Sequence, residues 1–405
     1  MKRLKIAIFS GAIPSTTFIE HLIEGVAKTY EVYLFGVVET KTSYNHPHIK
    51  IISTPRVHGL NLLFTMYRGV LLGVKRPKDL QRLGREIKRF NKRYDKWIWF
   101  SKFLPIILYK PDVLHMQWAR DLEFYWFLQD SFEIPIVVSL RGAHINYTPI
   151  VTPKVGELYR QLFPKVKGFH AVSNAIRHEA EGYGATPERI KVICSPLPAS
   201  LFNQFEVLAF SPSNSIKILS VGRFHWKKGY SFGLKAVAEL KRRGVDCTYT
   251  IISSNALTED LLFQIHDMGL DDVVNIEKGV TQDSLFKTMK AYDVMLLPSL
   301  EEGIANVVLE AMALGVPVIS TDCGGMAEVV RPGETGWLVP VRDPEAMAKA
   351  VLEVMHTSEE DLQRIAQNAH DLVKAEFCAE RSIQQFLELY DQVLGGVITS
   401  ETRAK

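Results

Sequence analysis

Asp293-Val294-Met295-Leu296-Leu297-Pro298 runs through Ser299-Leu300-Glu301 into Glu302-Gly303-Ile304-Ala305-Asn306-Val307-Val308-Leu309-Glu310. The first stretch reads as a buried strand, a short apolar run closed by proline. Gly303 loosens the backbone where the strand ends. Asn306 is placed as an N-cap, and Val307–Leu314 carries a helical pattern. A strand that passes through a short loop into a helix is the repeating unit of a parallel α/β sheet. Two carboxylates stand eight residues apart across it. At a rise of roughly 1.5 Å per residue, part loop and part helix, they lie on the order of 10 Å apart. Helix-start N–H groups between them attract phosphate. Each carboxylate accepts two hydroxyl hydrogen bonds, as a sugar or ribose diol offers. The plain alternative is that Glu302 complements a helix dipole and Glu310 is an ordinary helix residue.

The same alternation extends in both directions. Leu4–Phe9, Glu31–Val37, Pro111–Leu114, Ile134–Leu140, Gly168–Val172 and Ile190–Cys194 read as strands, with helices at Thr17–Lys28 and Ser173–Gly184. From Ser195 to Ser215 the period breaks around Pro196, Pro198 and Pro212, as in an interdomain linker. A second series follows at Ile216–Val221, Cys247–Ser253, Val273–Glu277, Val294–Leu297 and Pro317–Ser320. The expected organisation is an N-terminal Rossmann-like domain (1–198), a linker (199–215) and a C-terminal Rossmann-like domain (216–377). A helix at 378–395 then crosses back to the first domain, and 396–405 forms a tail. Two doubly wound domains present strand C-termini to a central cleft. Ser10-Gly11-Ala12-Ile13-Pro14 is not a G-x-G-x-x-G fingerprint, which argues against NAD or FAD.

A chain of 405 residues fits two domains. A net charge of +3 does not mark a nucleic-acid binder. The four cysteines, Cys194, Cys247, Cys323 and Cys378, have no metal-binding spacing and suit a reducing compartment. Lys2, Arg3 and Lys5 precede only the short run Ile6–Phe9, which reads as a strand rather than a signal peptide. No apolar stretch is long enough to span a bilayer. The expectation is a cytoplasmic protein.

The second series opens with Val221-Gly222-Arg223-Phe224-His225-Trp226-Lys227-Lys228-Gly229. Two cations at a strand end, with a glycine on each side, can neutralise a diphosphate and stabilise it as a leaving group. With the two-glutamate segment, this turn makes the chain resemble a retaining GT-B glycosyltransferase of glycosyltransferase family 4. Glu302 to Glu310 resembles that family's E-x7-E element, and Gly222-Arg223 to Lys228-Gly229 its diphosphate motif. Thr321-Asp322-Cys323-Gly324-Gly325-Met326-Ala327-Glu328 and Gly333-Glu334-Thr335-Gly336-Trp337-Leu338-Val339 also match. The resemblance is strong from Ile216 to Leu352 and looser before Gly168.

The resemblance implies transfer of a sugar, a hexose, from a nucleotide-diphosphate sugar to a saccharide or lipid-linked saccharide. Anomeric configuration would be retained, as in cell-surface polysaccharide or glycolipid synthesis. Glu310 would bind the ribose hydroxyls, and Glu302 would contact the donor sugar near the reacting centre. Arg223 and Lys228 would hold the diphosphate, assisted by Gly222 and by backbone N–H groups of Gly303, Ile304, Ala305, Asn306 and Val307. Gly11 would close on the diphosphate, and the base would lie near Gly279-Val280. No metal or other cofactor is required if the two cations serve. The family's H-x-H element is here His115-Met116-Gln117, which makes His115 a catalytic candidate and leaves Gln117 unable to titrate. Ser253-Ser254-Asn255 stands where the family often carries a glycine-rich turn. Arg141 and His144 follow a strand, and with Gln117 they are candidates for the acceptor side. The alternatives are a catalytically weak or inactive nucleotide-binding or scaffold subunit on the same fold, and a nucleotide-sugar epimerase.

Arg68, Lys75, Arg76, Lys78, Arg82, Arg85, Lys88, Arg89, Lys92, Arg93 and Lys96 form a basic stretch beside Trp97, Trp99, Phe100 and Phe103. Apolar Leu60–Val74 leads into it. The region Arg68–Phe103 suits peripheral attachment to an anionic membrane surface, the inner face of the plasma membrane, with nucleic acid as the disfavoured rival. A solvated helix face is the bland reading.

Overall fold

The computed structural model describes residues 3–40, 42–207 and 215–395. The expected tail at 396–405, and residues 208–214 of the expected linker, lie outside them. The described chain divides into two units. The first holds residues up to 172, 176–193 and those from 380 on; the second holds 173–175 and 194–379.

The first unit is built on β1 (Lys5–Ile13), β2 (Glu31–Val38), β3 (Ile49–Ser53), β4 (Val113–Met116), β5 (Ile136–Leu140), β6 (Gly168–Ala171) and β7 (Ile190–Val192). They pair in the order β3-β2-β1-β4-β5-β6-β7, every pair parallel. Every residue of β4, β5 and β6 is buried, the signature of parallel strands covered on both faces. The second unit uses β8 (Ser215–Val221), β9 (Asp246–Ser253), β10 (Val274–Lys278), β11 (Val294–Leu297), β12 (Val318–Thr321) and β13 (Trp337–Val339). Their order is β10-β9-β8-β11-β12-β13, again all parallel. Both units are therefore the doubly wound α/β type read from the sequence. β3 and β13 were not anticipated. Each is a short strand at a sheet edge, where pattern is weakest.

Each sheet has one point where the winding reverses. In the first unit it falls between β1 and β4, and in the second between β8 and β11. Strand C-termini at such points are where open α/β sheets bind ligands.

Among the helices are α1 (Thr17–Ala27), α2 (His58–Lys75), α3 (Asn306–Leu314) and α4 (Ala379–Val393). The start of the expected linker is not free chain. Ala199–Phe202 is a helical turn whose Leu201 and Phe202 are buried in the second unit's core. α4 packs in the first unit, where Phe386, Leu389 and Tyr390 join a cluster with Ile6, Ile8 and Ile193. Gly168 makes room for it, since a Cβ there would lie 2.6 Å from Val393 Cγ2.

A buried hydrogen-bond chain ties α4 to the sheet. The Ile193 carbonyl can only accept, so His170 Nε2 donates to it over 2.8 Å. That leaves His170 Nδ1 to accept from Ser139 Oγ (2.8 Å). Ser139 in turn accepts from His115 Nε2 (2.9 Å), and His115 Nδ1 accepts from Tyr390 Oη (2.7 Å). Both imidazoles stay neutral. Burial, then the Arg141 charge, pulls His115 down to about 3 and moves His170 well below its usual value.

α2 is turned inside out. Its buried stripe is Asn61, Thr65, Arg68 and Leu72, of which three are polar. Asn61 Nδ2 donates to Ser101 Oγ (3.1 Å), and Arg68 Nη2 to the Ser53 carbonyl (3.0 Å). Its apolar side chains face solvent: Leu63 is 64% exposed, Tyr67 65%, Val70 67% and Val74 78%. This corrects the reading of Arg68–Phe103. Arg68 is buried, Arg76 is spent on the Ile107 and Leu108 carbonyls, and Arg89 on the Phe124 carbonyl. Phe103 is a core residue, and Trp99 stacks on Phe124 at 4.3 Å between centroids. The aromatic half of that stretch is packed inward, and the exposed apolar surface lies before it.

Tyr390→Phe tests the buried chain. It keeps the ring but leaves His115 Nδ1 without a donor, and an unsatisfied buried group costs about 1–3 kcal/mol. Urea melts should show a loss of that size; an unchanged midpoint would mean the chain is drawn wrongly.

Candidate functional site

The switch point of the second unit gathers most of the residues singled out from the sequence. Arg223 is exposed just past the C-terminus of β8. Lys228 Nζ pairs with Glu302 Oε1 at 2.6 Å, and both side chains are largely buried. Ser299 Oγ donates to the same oxygen (3.0 Å). A buried carboxylate is tolerated only when it is paired and hydrogen-bonded, and here it is both.

Glycines make this approach possible. Gly229, at φ +64°, lies against the turn after β11, where a Cβ would sit 2.0 Å from the Pro298 carbonyl oxygen. Gly324, at φ +53°, lies under Glu302, where a Cβ would come within 1.7 Å of its carbonyl oxygen. Leu300 N–H donates to Lys227 O (2.6 Å), and Gly325 N–H to Gly303 O (2.7 Å). The acid-bearing loop is thus held between the basic turn on one side and Gly324-Gly325 on the other.

α3 begins at Asn306, one residue earlier than the sequence suggested. The N-cap is Ala305, and no side chain caps the helix. Asn306 is exposed, and it does not cap because it already lies inside the helix. Ala305 N–H points at Met326 Sδ (3.4 Å), a weak acceptor. Glu310 is buried in the second turn and accepts from Gln282 Nε2 (2.9 Å). Burial pushes its carboxyl up to about 7, against the opposing effect of that hydrogen bond. Val280, exposed, stands two residues before Gln282. Ser253-Ser254-Asn255 replaces flexibility with a latch: Asn255 Oδ1 accepts from Phe224 N–H (2.8 Å), and Nδ2 donates to Phe224 O (3.1 Å). Gly279 packs on Ser254, a Cβ there lying 3.0 Å from its Cα. Ser299, Gln282 and Asn255 were not assigned these supporting roles from the sequence. Gln282 and Asn255 act on residues 28 and 31 positions away, which leaves no local spacing to read, whereas Ser299 lies only three residues before Glu302.

The switch point of the first unit holds the other candidates. Gly11 is exposed at the end of β1 with φ +88°. The catalytic expectation for His115 is corrected: it is fully buried, with both ring nitrogens bonded within the core. Gln117 is also fully buried. Its Oε1 accepts from Arg141 Nη2 (3.2 Å), while its Nε2 has no partner. The Arg141 guanidinium lies 4.2 Å from the centre of the Phe18 ring. Burial alone pulls it down to about 9, no carboxylate pairs with it among the described residues, and its Nε is buried without a partner. His144 packs on Trp118 (5.3 Å between centroids), and its pKa is lowered by burial and then by Arg120. Its Nδ1 has no partner either.

Two parallel doubly wound units, each carrying its polar cluster at the point where the strand order reverses, define the GT-B fold class. Residues 215–357 match the family model described as glycosyl transferases group 1. That match covers the strand–loop–helix of Glu302 and Glu310, and over these residues the chain is similar to the group 1 glycosyltransferases. It is 28% identical to the putative colanic acid biosynthesis glycosyltransferase WcaL of Salmonella typhimurium, over 64% of this chain and 63% of that one. It is 30% identical to the amylovoran biosynthesis glycosyltransferase AmsK of Erwinia amylovora, over 64% of each. The matches thus span just under two thirds of these relatives. The fold is that of Anabaena Alr3699/HepE, whose crystal structure is a complex with UDP. The TM-score is 0.68 at 18% identity, covering 96% of this chain and 99% of that one.

Glu310 makes the stability of the ligand-free protein depend on pH. Its folded value, about 7, lies above its ordinary 4.5, so the folded state holds the proton more tightly. Stability is full below pH 4.5 and falls as pH rises towards 7, by at most roughly 1.4 kcal/mol per pH unit. Glu310→Gln should flatten the melting-temperature profile across that window. An unchanged slope would place the titration elsewhere.

Proposed function

We propose that the protein transfers a sugar from a nucleoside-diphosphate sugar to a saccharide or lipid-linked saccharide, with retention of configuration. The observation that carries this is the Lys228–Glu302 ion pair seated beside the uncapped start of α3. Lys228 and exposed Arg223 supply positive charge where a leaving diphosphate gains negative charge. The α3 N-terminus adds N–H groups and the positive end of a helix dipole. Glu310 accepts the ribose hydroxyls, and its buried carboxylate gains the donors it lacks. Glu302 faces the donor sugar, where it stabilises positive charge as the glycosidic bond breaks. The leaving phosphate takes the acceptor's proton, so the protein contributes position and charge rather than a covalent nucleophile. Val280 borders the base, and the acceptor is assigned to the first unit.

The test is release of nucleoside diphosphate when donor and candidate acceptors are combined. An acceptor-dependent release supports transfer; a sugar isomer formed without acceptor would make it an epimerase. Lys228→Ala should lower turnover at least tenfold, since one lost transition-state donor costs ~2.7–4 kcal/mol. A rate equal to wild type would remove Lys228 from the mechanism.

We also propose that the first unit attaches peripherally to an anionic membrane. Among the described residues no helix is long and apolar enough to cross one. The outward apolar face of α2 suits shallow insertion; exposed Lys75 ends the helix, and exposed Lys78, Arg85, Lys88, Lys92 and Arg93 follow it in sequence. Flotation with anionic vesicles should recover the protein, and Leu63→Ser with Val70→Ser should abolish recovery. Equal recovery on neutral and anionic lipid, unaffected by these changes, would reject the attachment.

A further inference from the structure

The polar cluster at the first unit's switch point is unlike a core network. In the chain running through His115, Ser139 and His170, every ring nitrogen has a partner. Two residues beyond His115, just past β4, Gln117 directs an unpartnered Nε2 from a fully buried side chain, and Arg141 has an unpartnered buried Nε. Gln117 cannot be turned to cure this, because its oxygen is fixed by Arg141 Nη2 and the amide nitrogen would then face a cation. Nor does the protein neutralise the guanidinium. Its neighbours are an amide oxygen and the face of Phe18, and no carboxylate pairs with it among the described residues. Gly142 follows at φ +36°, which brings backbone rather than a side chain next to the arginine. A half-buried cation with its Nε enclosed and a fully buried amide donor, both left short of acceptors at a strand end where ligands bind, describe the receptor of an anion.

We propose that Arg141 and Gln117 form a subsite for a carboxylate or phosphate group on the sugar acceptor, so that the acceptor of this protein is an acidic saccharide or a saccharide phosphate. This rests on the transferase reading above and narrows it. Arg141 offers a planar pair of N–H groups to two anion oxygens, while Gln117 Nε2 supplies a further donor. Phe18 backs the guanidinium and holds it in that plane. The subsite makes the acceptor's charge, rather than its ring hydroxyls alone, the basis of selection.

The experiment is calorimetric titration of the full chain, saturated with nucleoside diphosphate, with glucuronate, glucose 6-phosphate and glucose. One or both charged sugars should bind at least tenfold more tightly than glucose. The arm that shows it separates carboxylate from phosphate recognition. Arg141→Met should abolish the preference, and Arg141→Lys should retain part of it. Arg141→Met should melt no lower than wild type without ligand, because it removes a half-buried charge that no carboxylate compensates, and its thermal shift with nucleoside diphosphate should be unchanged. Equal or absent binding of all three sugars, or a preference that survives Arg141→Met, overturns the proposal. Loss of the nucleoside diphosphate shift in Arg141→Met also overturns it, since the arginine would then serve the donor. Failure of wild type itself to bind nucleoside diphosphate would instead count against the transferase reading.

Discussion

The carboxylate of Glu302 is buried, and a buried carboxylate needs a cation. Much of the second unit's switch point follows from that need. Lys228 can reach Glu302 because Gly229 lets the basic turn lie against Pro298, and Glu302 is fixed because Gly324 passes beneath its carbonyl. Three segments far apart in sequence converge on one ion pair. Replacing either glycine with a side chain would push its segment away, since each would meet backbone rather than a movable side chain. The pair also keeps Lys228 pre-positioned. A diphosphate arriving there meets a cation already ordered, and the entropy of ordering a long side chain has been met in folding.

The strands and the reversal of winding were legible because parallel strands buried on both faces are written as uninterrupted apolar runs. Met295-Leu296-Leu297 and Ile136-Val137-Val138 could hardly be anything else. The Glu302/Glu310 and Arg223/Lys228 elements were legible because each is local. His115 was misread for a physical reason. A histidine at the end of a strand looks the same in sequence whether it faces a ligand or a Tyr390 hydroxyl brought back from 275 residues away. The helix start at Asn306 was misplaced by one position because asparagine is a good cap, and here the turn geometry puts Ala305 in that role. α2 defeats the usual rule altogether. Its apolar residues mark the outside and its Asn61, Thr65 and Arg68 the inside, so hydrophobicity alone assigns its faces in reverse.

The two units treat their buried polar groups differently. In the second, Glu302 has a partner for its charge, and burial raises Glu310 so that it holds its proton to a higher pH than an ordinary carboxyl. In the first, the histidine chain is complete while Arg141 and Gln117 are not. Incompletely satisfied groups cost stability, and proteins retain such costs chiefly where function requires them.

The placement of α4 has a further consequence for how the chain comes into being. The first unit's core includes Phe386, Leu389 and Tyr390, close to the end of the described chain. During synthesis the N-terminal sheet emerges first, yet it lacks a wall until α4 has followed the whole of the second unit out of the ribosome. The second unit lies almost entirely within 194–379 and has all its strands before that point. Vectorial synthesis ordinarily completes domains from the N-terminus onward; in this chain the unit that begins second is the one able to finish first.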